Sequence, residues 1–167
     1  MIFDLDFIIV AKYELDYSKR FVESLVGDLH RPAHLIFVDN ASTDETPAYF
    51  RSLKEKESER LKITIHTNKE NQGYAIALNQ GIEYTSAPYV FFCNNDLEVY
   101  PGAIEELVAI AAKRPEIGLV NPATNDFGFM SYDENQIREG KGKWLERCQT
   151  SGFMVLVKRE VIQKIGG

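Results

Sequence analysis

Tyr89–Asp96 reads YVFFCNND, and the fold turns on this stretch. An apolar run ending at Cys93 passes straight into Asn94, Asn95 and Asp96. The pattern is a buried strand with a polar, acidic tip. In open α/β sheets, ligands bind just beyond the carboxyl ends of the strands. A carboxylate and two amides at such a tip suit a hard cation such as Mg²⁺, which keeps several waters and shares its shell with substrate phosphates. On this segment alone a plain turn explains the residues as well, because Asn and Asp also end strands and open turns.

Strand-like and helix-like segments alternate on both sides of it. Phe7–Ala11 (FIIVA) is a short strand, and Asp16–Leu29 is a helix with Tyr17, Phe21, Leu25 and Leu29 on one stripe. His34–Asp39 (HLIFVD) is a second strand. Thr43–Glu57 is a helix, capped by Thr43 or Asp44 and with Pro47 in its first turn. Leu61–His66 alternates as a third strand. Gln72–Tyr84 is a helix whose small residues Ala75, Ala77 and Gly81 form a face for close packing on a sheet. After the fourth strand, Tyr89–Cys93, come a helix over Pro101–Lys113 and a fifth strand at Ile117–Val120. The polar stretch Asn121–Gln149 is long enough to carry function. Ser151–Val157 is a last strand, and a helix starts at Arg159. Strands separated by helices predict a mainly parallel sheet with right-handed crossovers.

A chain of 167 residues fits one domain with a sizeable core. The hydrophobic content of 44% and charged content of 26% are those of an ordinary globular protein. A net charge of −6 with no basic cluster speaks against nucleic-acid binding. The apolar runs are too short for a membrane span, and no leader pattern is present. Cys93 and Cys148 form no CxxC and no zinc spacing, so Cys93 reads as a small buried hydrophobe in a reduced, cytoplasmic protein. His30, His34 and His66 make no metal triad and read as structural or exposed.

In a parallel sheet three polar strand ends converge on one edge: Ala11-Lys12-Tyr13, Asp39–Asp44 and Asn94-Asn95-Asp96. Asp39 stands too early to cap the following helix, so its carboxylate is a candidate acceptor for the imide N–H of uracil or thymine, or for ribose hydroxyls. Asn40, Ser42 and Asp44 are explained by local turn bonding. Asn71, Gln72 and Gly73 precede a helix, and Gly73 lets the backbone approach a nucleotide. Asn79, a poor helix former, bonds a neighbouring loop or a ligand. GxGxxG and P-loop fingerprints are both absent. Trp144, with Phe127, Phe129, Met130 and Tyr132, either packs the long segment down or stacks on a sugar.

Taken in order, these pieces resemble a family-2 glycosyltransferase of the GT-A fold. FIIVAKY is similar to that family's first strand, and VDNASTDET to its second, with Asp39 at the base-reading position. NQGYAIALNQGI is similar to its third motif, and YVFFCNNDLEVYPGAIEEL to its D-x-D metal motif in an Asn-Asn-Asp form, nearest the rhamnosyltransferase-like branch. SGFMVLVKREVIQKIGG resembles the segment past the acceptor region. The resemblance implies an α/β, Rossmann-like, mainly parallel sheet flanked by helices, forming one nucleotide-sugar-binding domain over residues 1–167. It implies inverting transfer from a UDP- or dTDP-linked sugar to a hydroxyl of a glycan or lipid-linked acceptor, in polysaccharide or cell-surface glycan synthesis. The place implied is the cytoplasm, at the inner face of the membrane where the acceptor is lipid-linked.

For the site, the resemblance implies nucleotide contacts at Ala11, Tyr13, Asp39, Asn71, Gly73, Asn79, Asn94 and Asn95. It implies Mg²⁺ or Mn²⁺ held by Asp96 together with the diphosphate, because Asn94 replaces the first carboxylate of D-x-D. In the family the pattern continues past Ile-Gly-Gly to an acidic motif with the catalytic base, whereas this sequence ends at Gly167. The base is therefore expected beyond these residues, and Glu98, Asp126, Asp133 and Glu134 are not assigned to it. Two further readings stay open: a nucleotide-sugar-binding module without catalysis, and a sugar nucleotidyltransferase, which lacks its GxGxR-type loop here.

Overall fold

The computed structural model describes residues 3–123 and 152–166. Asp126, Asp133, Glu134, Cys148 and the aromatic residues from Phe127 to Trp144 lie outside the described residues. In chain order the elements are β1 (Leu5–Ala11), α1 (Leu15–Asp28), β2 (Ala33–Asp39) and α2 (Thr46–Ser52) with a 3₁₀ turn at Leu53–Lys56. There follow β3 (Leu61–Thr67), α3 (Tyr74–Ile82), β4 (Tyr89–Asn94), α4 (Ala103–Lys113), β5 (Leu119–Val120), β6 (Met154–Lys158) and α5 (Arg159–Ile165).

The sheet order is β3-β2-β1-β4-β6-β5. β1 pairs in parallel with both β2 and β4, and β2 pairs in parallel with β3. β6 runs antiparallel between β4 and β5. The chain thus builds outward from β1 to β3, then crosses to the other side of β1 to lay down β4. That reversal makes the carboxyl ends of β1 and β4 the topological switch point, where open α/β sheets bind ligands.

Burial explains which strands stand in the middle. Every residue of β1 and β2 is buried, as central parallel strands covered on both faces must be. β3 is only partly buried and takes an edge, in keeping with its alternating KITIHT. One core face joins Phe7, Phe37 and Phe91 to Phe21 and Leu25 of α1, Phe50 of α2 and Leu107 of α4. The rings of Phe7 and Phe91, and those of Phe37 and Phe50, stack at 4.5 Å. The other face packs Ile8, Val10, Ile36 and Val90 against Ala77 of α3 and Ile162 of α5.

Two buried carboxylates tie elements of the sheet and helices together. The Asp6 carboxylate accepts the backbone N–H groups of Ser86 and Ala87 and faces Arg159 and His34, so it ties β1 to the turn before β4. His34 also bonds Thr64 at 2.8 Å, a structural role as expected. At the end of α1 the Asp28 carboxylate accepts the N–H groups of Gly102 and Ile104, so one helix caps the start of another.

Four expectations shift, the first on α1, where Tyr17 is exposed and Ser18 is buried with Phe21 and Leu25. α2 begins at Thr46 rather than Thr43, because Asp44 accepts the Thr46 N–H at 3.0 Å and holds the preceding residues in a turn. Glu45, not Thr43 or Asp44, is its N-cap residue. On α3, Ala77 and Gly81 pack inward, one helical turn apart, while Ala75 is exposed.

Gly81 lies so close to Ile8 that a Cβ there would collide with its Cγ2 methyl. Replacing Gly by Ala in a helix usually gains about 1 kcal/mol. Overpacking a filled core costs about 1–3 kcal/mol and outweighs that gain. Gly81→Ala is therefore expected to lower Tm by about 3–6 °C in a thermal melt followed by circular dichroism. An unchanged or raised Tm would show that α3 stands farther from β1.

Candidate functional site

The carboxyl ends of β1, β2 and β4 meet as their parallel register requires: Ala11 stands opposite Asp39, and Val10 opposite Asn94. Beyond β1 the chain turns through Tyr13 and Glu14, both left-handed at φ 65° and 64°. Such a conformation is costly for residues other than glycine and persists where neighbours impose it. Here the Tyr13 N–H donates to Ser42 Oγ at 2.8 Å, and Asn95 Nδ2 donates to the Tyr13 carbonyl at 3.1 Å and to the buried Ser18 Oγ at 2.8 Å. Asn95 therefore fastens the β4 tip to the turn after β1.

Asp39 is fully buried at the end of β2. Its Oδ1 accepts the Ser42 N–H at 3.1 Å, across Ala41 with φ 65°. Its Oδ2 is buried with no hydrogen-bond partner. A buried carboxylate oxygen without a donor is costly, and a ligand N–H or O–H placed there removes that cost. Asp39 thus shapes the turn with one oxygen and keeps the other free.

The loop leading into α3 is tied to β2. The Asn68 N–H donates to the Asp39 carbonyl at 2.8 Å. Asn71 Oδ1 accepts from Asn40 Nδ2 at 2.7 Å and from the Gly73 N–H at 3.0 Å. Gly73 takes φ 78° at the start of α3, a region that glycine enters freely. The Asn79 side chain is exposed on α3 and makes no hydrogen bond to the described residues. The loop-tying bond comes instead from its neighbour Gln80, whose Oε1 accepts from Asn68 at 2.8 Å.

These ends enclose an open hollow of about 260 Å³, lined by Val10–Lys12, Asn40, Tyr74 and Asn94–Asp96. Of the sequence-predicted site residues, Ala11, Asn94, Asn95 and Asp96 line it. Tyr13, Asn71 and Gly73 bond residues that line it, and Asp39 precedes Asn40. Glu98 does not line it. Lys12, Asn40 and Tyr74 are lining residues that the sequence did not single out. The signal for Tyr74 was its place directly after Gly73. Lys12 and Asp96 both line the hollow, and the Lys12 ammonium lies 5.2 Å from the Tyr13 ring centroid.

Among the described residues no three His, Cys, Asp or Glu side chains group as a metal cage. Exposed Asp96, with the Asn94 amide beside it in the hollow, offers hard oxygen donors. This donor set fits a cation such as Mg²⁺ or Mn²⁺ that takes the rest of its shell from water and phosphate.

Tyr74 bridges the hollow to the start of β6, its hydroxyl donating to the Gly152 carbonyl at 3.3 Å. Burial, with the Asp96 charge adding to it, pushes the phenol well above its ordinary value of 10.0. Although Tyr74 is 40% exposed as a whole, this partial desolvation keeps its hydroxyl a neutral donor above the pH at which an unperturbed phenol ionises. A raised folded-state value adds stability that is present below about pH 10 and is lost as the pH climbs past it. Between pH 10 and 12 the unfolding free energy is expected to fall more steeply in the parent than in Tyr74→Phe, measured by denaturant titration. Equal slopes would mean that Tyr74 ionises as a free phenol.

The profile of Glycosyl transferase family 2 matches residues 6–166. An uncharacterized glycosyltransferase of Rickettsia felis is 26% identical over 157 residues, 93% of this chain and 23% of that protein. The N-acetylglucosaminyl-diphospho-decaprenol L-rhamnosyltransferase of Mycobacterium tuberculosis is 29% identical over 121 residues, 66% of this chain and 38% of that protein. The chain thus spans well under half the length of these relatives. Among solved structures, the mannosyltransferase of Pyrobaculum calidifontis in complex with GDP-Man and Mn²⁺ superposes with a TM-score of 0.79 at 20% identity, over 100% of this chain and 48% of that one. With the strand order and the switch-point hollow described above, these matches establish that the chain belongs to Glycosyl transferase family 2 and carries the GT-A fold.

Proposed function

We propose that the hollow is the donor site of an inverting glycosyltransferase that uses a UDP- or dTDP-linked sugar. The observation that carries this reading is the hollow at the ends of β1 and β4, lined by Lys12, Asn94 and Asp96, with the buried, unpartnered Oδ2 of Asp39 one residue before the lining residue Asn40. The imide N–H of uracil or thymine matches that lone acceptor. In this reading the nucleoside is held by Asn71 and Gly73, which bond the lining residue Asn40, and by Tyr13, which bonds the lining residue Asn95, with Asn79 further along α3. Lys12, which lines the hollow, offers a cation to the diphosphate in this reading. A divalent cation at Asp96, Mg²⁺ or Mn²⁺, would supply Lewis-acid stabilisation of the leaving diphosphate.

In the transfer, an acceptor hydroxyl oxygen forms a bond to the anomeric carbon as the bond from that carbon to the diphosphate oxygen breaks. The electron pair leaves with the nucleoside diphosphate, and the hydroxyl proton passes to a base. No residue of the hollow is assigned as that base. The chain's own groups bind, orient and stabilise the developing charge, which is the larger part of such catalysis. The acceptor in this reading is a glycan or lipid-linked hydroxyl in polysaccharide or cell-surface glycan synthesis. The reaction is placed in the cytoplasm, at the inner face of a membrane where the acceptor is lipid-linked. Among the described residues no helix is long and apolar enough to cross a membrane.

Calorimetric titration with UDP, dTDP and GDP, with and without Mn²⁺ or Mg²⁺, tests the reading. A uracil or thymine nucleotide is expected to bind more tightly with metal present, and Asp96→Ala is expected to abolish that metal dependence. Absence of binding for every nucleotide, with or without metal, would overturn the assignment. Asp39→Ala is expected to weaken binding about tenfold or more, the worth of one charge-assisted hydrogen bond. If it bound UDP and dTDP as well as the parent, the nucleobase role would be lost while the rest of the site stood.

A further inference from the structure

One buried amide holds the loop beside the hollow. Asn40 is 3% exposed. Its Nδ2 donates to Asn71 Oδ1 at 2.7 Å and to the Gly73 carbonyl at 3.3 Å. Its Oδ1 accepts the Gln72 N–H at 2.9 Å and Asn68 Nδ2 at 3.2 Å. Its backbone N–H donates to the Ala11 carbonyl at 2.8 Å. A primary amide has two donor hydrogens and two acceptor sites, so every valence of this side chain is used within the protein.

The polarity of the arrangement is unique. Two of the partners are backbone groups whose roles cannot change: the Gln72 N–H only donates and the Gly73 carbonyl only accepts. Turning the Asn40 amide over would set donor against donor and oxygen against oxygen at both. The same polarity runs outward. Asn68 gives its second hydrogen to Gln80 Oε1, so its own oxygen is the acceptor for His66, which carries its proton on Nε2. The partners on the loop lie 28 to 33 residues along the chain from Asn40, so the contacts are tertiary and not a local turn.

We propose that Asn40 is a positioning residue of the donor site. It fixes residues 68–73 so that Asn71 and Gly73 are in place before a nucleotide arrives, and it acts through Asn71 because its side chain has no valence left for a ligand. The inference rests on the donor-site reading above. An ordered loop spares binding the cost of ordering it, and this is how a supporting residue raises affinity without adding a contact.

The test is a double-mutant cycle on nucleotide affinity, with amide hydrogen exchange at Gln72 and Gly73 read in the same proteins. Asn40→Ala and Asn71→Ala are each expected to weaken binding about tenfold, the worth of one or two hydrogen bonds. The double variant is expected to lose about the same tenfold, with faster exchange at Gln72 and Gly73 in both Asn40 variants. Asn40→Asp keeps the acceptor half and loses both donors. It is expected to match the loss in Asn40→Ala, and it carries the test should the alanine variant fail to fold. Additive losses of about a hundredfold, or an unchanged Kd in Asn40→Ala, would overturn the proposal. If the parent bound no nucleotide, the donor-site reading would fail by itself. Unchanged exchange in Asn40→Ala would then overturn the positioning role as well, while faster exchange would keep the loop-holding part.

Discussion

The parallel pairing of β1 with both β2 and β4 is the constraint on which the rest of the structure depends. It levels three strand ends to within a residue, so Ala11, Asp39 and Asn94 lie along one line. It also leaves two faces to be covered by side chains, and on one of them Phe7 and Phe91 stack across neighbouring strands. A slip by one residue would turn Phe7 toward the face filled by Ile8 and Val90, and would turn every tip residue away from its partners. Core packing and site geometry are thus one condition on the register.

The tips meet that condition by bonding to each other before any ligand is present. The Asn40 N–H reaches the Ala11 carbonyl, Asn95 reaches Tyr13, and Asn68 reaches Asp39. Left-handed turns at Tyr13, Glu14 and Ala41 concentrate backbone strain at this edge. Fixed donors and acceptors of this kind suit chemistry in which charge develops on a departing diphosphate, because they need not reorganise as it does.

Much of the fold was legible because each central strand is buried on both faces and so reads as an unbroken apolar run, as in FIIV and LIFV. The β3 edge was legible from its alternation. The direction of β6 was not, since five buried residues in a row carry no sign of orientation. Of the candidate site residues, Asp39 and Asp96 stood out because each lies in a polar tip that a run of apolar residues leads into. Lys12 and Tyr74 did not, because they become neighbours only when β1 and α3 meet in space. Asn40 reads as turn chemistry in its own segment, and only partners some thirty residues away reveal its wider role. Ala75 was misplaced because small size alone does not say which side of a helix faces inward.

The antiparallel insertion of β6 has a consequence for how this domain can diversify. β5 leaves the sheet, and β6 re-enters it, at the same edge as the β4 tip, and both roots are held there. Asn121 donates to the Met154 carbonyl, and the Gly152 carbonyl accepts from Tyr74. A segment whose ends are pinned can change length at little thermodynamic cost, about 0.6 kcal/mol per doubling. A change in the length of chain between Asn121 and Gly152 therefore leaves these two held roots as they are. The sheet edge thus behaves as a fixed socket for both roots, set by the antiparallel pairing of β6 with β4 and β5.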